Sequence, residues 1–278
     1  MKTEKVVKIC LSILLLAALT MVTQTAGIIL ALVWFTFRRV KVLASLNHTP
    51  LYFLFSFIAV YLISVFIVTP YFAKINGRVP LPVVSKNNSL IPVSFLTVLC
   101  NRHYVKPKLY QALQEVNKEM SIQYPQFSIG YLDACFPFFN GFPLIPHLSH
   151  SDGKKIDLAF VYRDTRTNTL SIARTPTPFG YGSFEPAKKK ETDKADQCNK
   201  RNVFYNFSQL LGWKVRPHLQ IDPIATTMLA KACAANPKIH KIFLEPHLKK
   251  RWHLDSFSKI RFQGCWSVRH DDHLHVQL

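Results

Sequence analysis

Histidine and aspartate are concentrated in the last nine residues, which read His-Asp-Asp-His-Leu-His-Val-Gln-Leu from His270 to Leu278. If this end is a strand, the two-residue repeat places His273 and His275 on the same face. Two neutral imidazoles that face one point are suitable ligands for a zinc ion. The pattern therefore predicts that the end of the chain contributes to a metal site.

A second cluster lies upstream, in His150-Ser-Asp-Gly-Lys-Lys-Ile-Asp157. Asp157 enters the apolar run Ile156–Tyr162, which predicts a buried strand. A carboxylate in a core strand is costly unless it is paired or bound to metal. Together His150, Asp157 and His275 would supply two nitrogens and one oxygen. The fourth position of a tetrahedral site would stay open, as it does in catalytic zinc sites.

The two clusters resemble the zinc peptidases grouped with lysostaphin and the D-Ala-D-Ala peptidases. Pro146-His-Leu-Ser-His150 and the ending from His270 to Val276 are most similar to penicillin-insensitive murein endopeptidases. The resemblance covers residues 141–162 and 241–278 and is weak elsewhere. It implies Zn²⁺ bound by His150, Asp157 and His275, with His270 and His273 as two further essential histidines.

For amide hydrolysis, zinc would polarise the scissile carbonyl and lower the pKa of its bound water, while a general base moves the proton. His273 is the candidate base, because it shares a strand face with His275. His270 is expected to orient the water or to stabilise the oxyanion. Asp272 is a third candidate, since D-Ala-D-Ala peptidases carry a glutamate at that offset. Its alternative role is to accept a hydrogen bond from a ligating ring.

The sequence also departs from these relatives. D-Ala-D-Ala peptidases usually have serine two residues before the first ligand, where this chain has Leu148. This difference favours an endopeptidase over a D,D-carboxypeptidase. The segment before His270 lacks the glycine of murein endopeptidases, so the substrate subsites are expected to differ. His147, Glu245 and His247 are candidate cleft residues, with a buried polar contact or a helix cap as the alternative for Glu245 and His247.

The net charge is +19, and 8 basic and 1 acidic residues precede Pro80, which leaves +12 for the rest of the chain. Such a surface favours anionic partners, among them lipid headgroups and cell-wall polymers. No nucleic-acid-binding signature accompanies the charge, so nucleic acid is not an expected partner. Residues 179–202 include Lys188-Lys-Lys190 and predict a solvated flexible loop, with polyanion binding as the alternative.

The first 75 residues predict a membrane anchor of two transmembrane helices, Ile9–Phe37 and Leu51–Phe72. A signal peptide cleaved near residues 23–27 is the alternative for the first. Basic residues lie at both ends of such a first span, so their distribution barely orients it. A murein peptidase must face murein, which implies a bacterial inner membrane protein with its domain in the periplasm or towards the cell wall.

After the anchor, the proline-containing residues 76–92 predict a linker and residues 93–278 a zinc metallopeptidase-like domain. We expect an α+β fold with a small antiparallel sheet and flanking helices. The predicted helices are Pro107–Tyr124, Ile221–Ala235 and Pro246–Leu254. The predicted strands are Phe127–Phe136, Ile156–Tyr162, Lys241–Glu245 and the chain end.

Six cysteines are present, and none forms a C-x2-C pair. Five lie beyond the membrane segments, so at least one is a free thiol, and we expect the later cysteines to pair in an oxidising compartment. Two classes of function follow from these observations. One is a membrane-anchored zinc peptidase whose substrate is a peptidoglycan peptide. The other is a membrane-bound, non-catalytic protein that keeps the zinc fold or binds a polyanion.

Overall fold

The computed structural model describes residues 2–40, 49–84 and 89–278. An N-terminal group of apolar helices is followed by a domain that mixes helices with three sheets of two, six and three strands. The α+β class expected from the sequence is therefore confirmed. Lys41, which belongs to the basic segment between the apolar runs, lies outside the described residues.

Two N-terminal helices, Thr3–Thr23 and Pro50–Ile75, are long and apolar enough to cross a membrane. The helical elements are α1 Lys2–Thr23, α2 Ala26–Arg39, α3 Thr49–Ile63, a π-helical segment Ser64–Val68 and α4 Thr69–Ile75. The single span predicted from Ile9 to Phe37 is divided, because Gln24 adopts a left-handed φ of 67° and the chain reverses there.

The three long helices run antiparallel to their neighbours. A Cβ on Gly27 would lie 2.1 Å from Thr20 Oγ1, so only glycine lets α2 approach α1 this closely. On its other side α2 packs against α3, with the rings of Phe37 and Phe53 5.4 Å apart. The basic start of α1 and the basic end of α2 therefore lie at the same end of the bundle.

The opposite end of the bundle is buried against the domain. Asn101 Nδ2 donates to Thr23 O at 3.1 Å and to Thr25 Oγ1 at 2.9 Å. The Phe138 N–H donates to Gln24 Oε1 at 3.0 Å. The domain and the helices thus share buried hydrogen bonds at the point where the apolar run is broken.

The main sheet has six strands in the order β10-β9-β11-β5-β4-β2. These are β2 Ile91–Pro92, β4 Gly130–Tyr131, β5 Lys155–Ala159, β9 Lys241–Phe243, β10 Ile260–Arg261 and β11 His273–Gln277. The expected antiparallel pairing holds at the centre, whereas the two outermost pairs are parallel. The C-terminal strand is therefore in the middle of the sheet, paired on both sides.

Two smaller sheets extend the domain. The first pairs β1 Val79–Pro80 with β3 Tyr104–Val105, and the second has the order β7-β6-β8. Its strands are β6 Tyr162–Asp164, β7 Thr169–Ser171 and β8 Leu219–Ile221. Regular pairing in the predicted strand Phe127–Phe136 is limited to β4 and a bridge between Cys135 and Tyr104.

The remaining helices flank the sheets, and the three predicted from apolar periodicity are confirmed within a few residues. They are α5 Phe95–Leu99, α6 Pro107–Gln123, α7 Ala195–Asn199, α8 Pro223–Ala235 and α9 Pro246–Arg251, with a 3-10 segment at Phe207–Leu211. Burial of α6 and α8 against one core explains why their apolar spacing was a reliable signal.

The stretch predicted as a linker is built into the domain where the structure describes it. Leu81 and Leu90 are each 1% exposed within the main core, and β1 and β2 pair with β3 and β4. Residues 85–88 lie outside the described part of the chain. Prolines are compatible with this role because these short strands lie at sheet edges.

A disulfide joins Cys198 to Cys265 and confirms the expectation that later cysteines pair. Among the described residues, Cys10, Cys100, Cys135 and Cys233 are free thiols. The bridge connects the lysine-rich insertion to the segment that leads into β11. It therefore fixes the insertion next to the C-terminal histidines.

We expect Asn101→Gly to lower the free energy of unfolding in detergent by about 1–3 kcal/mol, because Thr23 and Thr25 lose a buried donor. Glycine keeps the left-handed backbone of residue 101, whose φ is 56°. The control Asn168→Gly replaces an exposed left-handed asparagine and should change stability by less than about 0.5 kcal/mol. Equal unfolding curves for wild type and Asn101→Gly would contradict this contact.

Candidate metal centre

The centre is built where β11 lies beside β5. In this antiparallel pair His275 is directly opposite Asp157, and His273 is opposite Ala159. Directly opposed residues point to the same face of a sheet, as do residues two apart on one strand. The register therefore places His273, His275 and Asp157 together on one buried face, as the sequence predicted.

His150 reaches the same point from the loop before β5. Its Nδ1–H donates to the Ala134 carbonyl at 2.8 Å, so the Nε2 lone pair faces the cluster. His150 Nε2 lies 3.0 Å from His275 Nδ1 and 3.3 Å from Asp157 Oδ1. The third side of this triangle, His275 Nδ1 to Asp157 Oδ1, is 2.8 Å. All three side chains are buried.

The two oxygens of Asp157 have different surroundings. Oδ1 faces His150 and His275, whereas Oδ2 accepts from the Tyr181 hydroxyl at 2.8 Å and lies 3.0 Å from His147 Nδ1. This arrangement fixes the rotation of the carboxylate. Oδ2 is held by Tyr181 and His147, and Oδ1 is left to form the triangle with the nitrogens of His150 and His275.

His147 is also within ligand range. His147, His150 and Asp157 form a buried group that could hold a metal ion, with candidate ligand atoms all within 4.8 Å of one another. His147 Nδ1 additionally lies 3.4 Å from Asp133, whose carboxylate pairs with Arg102 at 2.9 Å. Two carboxylates therefore compete for the same His147 nitrogen.

His273 forms a dyad with Asp272. Its Nδ1–H donates to Asp272 Oδ1 at 2.5 Å, and the Gly182 N–H donates to the other Asp272 oxygen at 2.6 Å. His273 Nε2 is buried, makes no hydrogen bond with the described residues and lies 3.6 Å from Asp157 Oδ1. Asp272 thus accepts a hydrogen bond from the ring of the candidate base, and not from a ligating ring as its alternative role had it, and aims Nε2 at the cluster.

His270 lies at the edge of the cluster. Its ring centroid is 5.0 Å from that of His273 and 5.5 Å from that of His275. Glu245 Oε1 accepts from the His270 backbone N–H at 3.2 Å, which makes Glu245 a buried polar contact of the backbone. His247 donates through Nε2 to the Glu185 carbonyl at 2.7 Å.

Gln277 completes the support of His275, and the sequence interpretation did not include it. Its side-chain Nε2 lies 2.9 Å from His275 Nε2 and donates to it, which leaves the ring proton on Nδ1. Turning the amide by a half rotation presents its oxygen to the ring, so that Gln277 accepts the Nε2–H. The His275 Nδ1 lone pair then faces Asp157 and His150, the protonation state that a metal ligand requires.

Burial and neighbouring charge set the protonation states. Burial lowers the pKa of His275 to about 4 and holds the pKa of His270 well below its ordinary value. Burial alone would raise the pKa of Asp157, but the surrounding imidazoles hold it well below the usual range. A neutral His275 ring and an ionised Asp157 carboxylate are the forms in which these two groups bind metal. The His273 pKa is raised, because Asp157 and Asp272 outweigh the effect of its burial.

Two clefts open on either side of His147. The larger has a volume of about 370 Å³ and is lined by His147, His270, His275, Phe243 and Trp266, among others. The smaller, of about 230 Å³, is lined by Asp133, Tyr181, Arg102 and Leu96 of α5, among others. An extended substrate could therefore pass the cluster with one part in each cleft.

Arg78, directly after the second apolar helix, holds the loop that carries His147 and His150. It is 1% exposed and donates through Nη1 to the Phe136 carbonyl. Its Nη2 donates to Asn140 Oδ1 at 2.6 Å and lies 3.3 Å from the Ser151 carbonyl. A single guanidinium thus fixes both ends of the loop.

The sequence patterns did not identify three residues that support the site, Tyr181, Asp133 and Arg78. Tyr181 lies in the insertion predicted as a flexible loop, and neither its neighbours nor its spacing mark it. The structure instead places the start of this insertion in the site, with Gly182 held by Asp272. The Lys188-Lys-Lys190 run lies outside both clefts and makes no contact with the cluster in the described residues.

We expect the purified protein to bind one divalent ion per chain, and His275→Ala or Asp157→Asn to weaken binding more than about 100-fold. Partners that only orient metal ligands are already worth about 10–100-fold. The measurement is competition with a chelating dye, together with metal analysis after dialysis. His240→Ala, which removes an exposed histidine, is the control. Unchanged affinity in His275→Ala and loss in His147→Ala would place the ion on the His147 group.

We also expect Arg78→Met to weaken metal affinity by about 10-fold while the ligands remain, because the loop of His150 loses its fixed ends. Arg78→Lys should behave similarly, since an ammonium does not replace the planar fork of donors. Arg166→Met removes an exposed guanidinium and serves as control. Wild-type affinity in Arg78→Met would show that the loop holds its shape without it.

Comparison with known proteins does not assign the site to a family. No protein-family model matches the chain, and no curated protein sequence matches it. The function is therefore inferred from the side chains and their geometry.

Proposed function

We propose that the protein is a membrane-anchored zinc metallopeptidase that hydrolyses amide bonds in peptidoglycan peptides. The observation that carries this proposal is the triangle of His150 Nε2, Asp157 Oδ1 and His275 Nδ1, with sides of 2.8–3.3 Å. The triangle is buried beside a second histidine–aspartate dyad and borders a cleft. The candidate metal ligands, the candidate general base and a cleft that could admit a substrate therefore lie next to one another.

The donor set fits zinc. Ligand atoms around a tetrahedral zinc lie about 3.3 Å apart when each bond is about 2.0 Å. The observed triangle is slightly smaller and expands to this size with minor rotations of the side chains. Two imidazole nitrogens and one carboxylate oxygen suit zinc better than magnesium or calcium, which prefer oxygen ligands. We favour His275 over His147 as the second histidine ligand, because His147 Nδ1 is occupied by two carboxylates.

His273 is the proposed general base. A zinc ion held in the triangle would polarise the scissile carbonyl and provide a nucleophilic water near neutral pH. His273 donates through Nδ1 to Asp272, so its Nε2 accepts the proton of the attacking water. The same nitrogen then protonates the leaving amine. Asp272 stabilises the charged ring between these two steps.

His270 is the proposed partner of the developing oxyanion. Its ring lines the larger cleft and stays neutral, so an N–H can donate to the carbonyl oxygen as negative charge develops. The peptide on that side of the scissile bond would contact Phe243 and Trp266. Tyr181 and His147 keep Asp157 in place from the other side.

The proposed location is the bacterial inner membrane with the domain in the periplasm. Four basic residues lie at the end of the bundle far from the domain, namely Lys5, Lys8, Arg38 and Arg39. Positively charged flanks are enriched on the cytoplasmic side, which supports an exported domain. The disulfide is consistent with an oxidising compartment. The murein substrate itself is supported by the sequence resemblance and by the +12 charge of the residues from Pro80 onward.

The second candidate is a non-catalytic membrane protein that keeps the zinc site and binds a polyanion. The basic charge of the residues from Pro80 onward is compatible with this candidate as well, because binding a polyanion requires charge but no turnover. The two candidates differ in turnover and not in metal binding. Hydrolysis measurements therefore separate them.

We expect the full-length protein in detergent to release cleaved peptides from purified peptidoglycan, detected by mass spectrometry of muropeptides. His273→Ala should lower turnover by about 10²–10⁴-fold, because the base is lost, while bound zinc is retained. Asp272→Asn should have a smaller effect in the same direction. EDTA should abolish hydrolysis and added zinc should restore it.

His240→Ala is again the control and should match wild type in both rate and zinc content. Zinc-loaded wild-type protein that releases no peptide would refute the peptidase assignment. It would favour the non-catalytic candidate.

A further inference from the structure

The apolar part of the helical bundle that lies clear of the domain is shorter than a bilayer, since α1 rises only about 21 Å from Ile9, the first residue after its lysines, to Thr23, where contact with the domain begins. From Ala26 to Arg38, α2 rises about 18 Å, and from Pro50 to Ser64 the next helix rises about 21 Å, at 1.5 Å per residue. The hydrocarbon core of a membrane is about 30 Å thick. If these helices span it, the remaining thickness must lie alongside the domain.

The second apolar helix provides this additional surface. From Ser64 to Ile75 it continues for about 17 Å beside the domain. Its outward side chains stay apolar there, with Ile67, Tyr71 and Ile75 each between 66% and 69% exposed. Exposed apolar surface of this kind marks a contact with protein or lipid, and its continuity with the apolar helix favours lipid. If these helices span a membrane, the edge of the domain that carries α5 lies at the depth of one of its leaflets.

The surface of the domain next to this helix is also apolar. The short helix α5 packs its Phe95 ring onto Phe66 of the spanning helix, with centroids 6.2 Å apart, and the Tyr61 hydroxyl donates to the Leu99 carbonyl at 2.5 Å. Phe95 and Leu96 are each about half exposed. They continue the apolar surface of the helix onto the domain.

The smaller cleft opens at the same edge. Leu96 and Leu211 line it, together with Phe179, whose ring meets that of Trp213 edge-on at 5.6 Å. Trp213 is 52% exposed and is followed by Lys214. An exposed tryptophan next to a lysine is typical of the membrane–water boundary. The inner wall of this cleft is formed by His147, Asp133 and Tyr181.

We propose that Phe95, Leu96, Leu211 and Trp213, the interfacial rim, lie in the headgroup–acyl boundary of the membrane and that the smaller cleft is entered from it. The substrate is then a peptide attached to a membrane lipid, with its scissile amide at headgroup height. This inference deepens the proposed function and rests on it. The reaction needs only water, which adds across the amide to give a carboxylate and an amine.

Fluorescence quenching tests the position of the rim without any activity. The full-length protein is reconstituted in vesicles of phosphatidylcholine and phosphatidylglycerol with or without bromine on the acyl chains near the headgroup. The difference in emission between wild type and Trp213→Phe is the emission of Trp213. We expect the brominated lipid to quench this part of the emission. Trp266, which is 84% exposed and lines the larger cleft, provides the matched control. The difference between wild type and Trp266→Phe is the emission of Trp266, and we expect the brominated lipid to leave it unquenched.

Equal behaviour of the two tryptophans, or an unquenched Trp213, would overturn the membrane position of the rim. Because Trp34 in α2 is expected to be quenched in every variant, it confirms that the helices have inserted.

Hydrolysis tests the substrate. One peptide is presented in two forms, attached to a lipid in the vesicles and free in solution. Phe95→Asp and Trp213→Asp should lower turnover of the lipid-linked form at least 10-fold and leave turnover of the free form unchanged. Ile122→Asp, an equally apolar-to-acidic change at an 81% exposed position on α6, should affect neither.

Equal turnover of the two forms by wild type, or equal losses on both in the rim variants, would overturn the lipid-linked substrate. Cleavage of neither form would refute the peptidase assignment together with this substrate. In that case the quenching result still decides where the rim lies.

Discussion

A single buried carboxylate is the constraint on which the rest of the structure depends. Asp157 is 0% exposed on a core strand, and an isolated ionised group there would cost several kcal/mol. Its charge is compensated by His147 and Tyr181 on one oxygen and by His150 and His275 on the other. These partners come from the loop before β5, the insertion and the chain end. The fold has to bring all three segments to one point for this carboxylate to be stable.

The helical bundle takes part in the same requirement. Arg78 and Gln24 belong to the ends of apolar segments, yet both bind backbone groups of the loop that delivers His147 and His150. The loop is thus held between the sheet and the bundle. A contact of this kind makes the helical bundle a structural part of the domain, and it fixes the position of the helices relative to the candidate metal centre.

The sequence predicted those features that depend on local spacing. The alternation in His273-Leu-His275 gave the correct strand face, and the apolar repeat in Pro107–Gln123 gave the correct helix. Tyr181 was not predictable, because its role depends on where the insertion packs and not on its neighbours. The break at Gln24 was equally hidden, since the apolar run continues past it and the reversal is stabilised by Asn101 from a distant segment. Long-range contacts, in general, carry no mark in the local pattern.

His273 and His270 have different proposed roles, and the surroundings of their rings explain why these roles are not interchangeable. His273 has a carboxylate on Nδ1 and a second one near Nε2, so its protonated form is stabilised, and its pKa is raised. Among the described residues no carboxylate pairs with the His270 ring, and burial beside other imidazoles lowers its pKa. A ring that resists protonation is a poor base but remains a hydrogen-bond donor. The proposed mechanism therefore assigns proton transfer to His273 and stabilisation of an oxyanion to His270, and the position of Asp272 separates the two tasks.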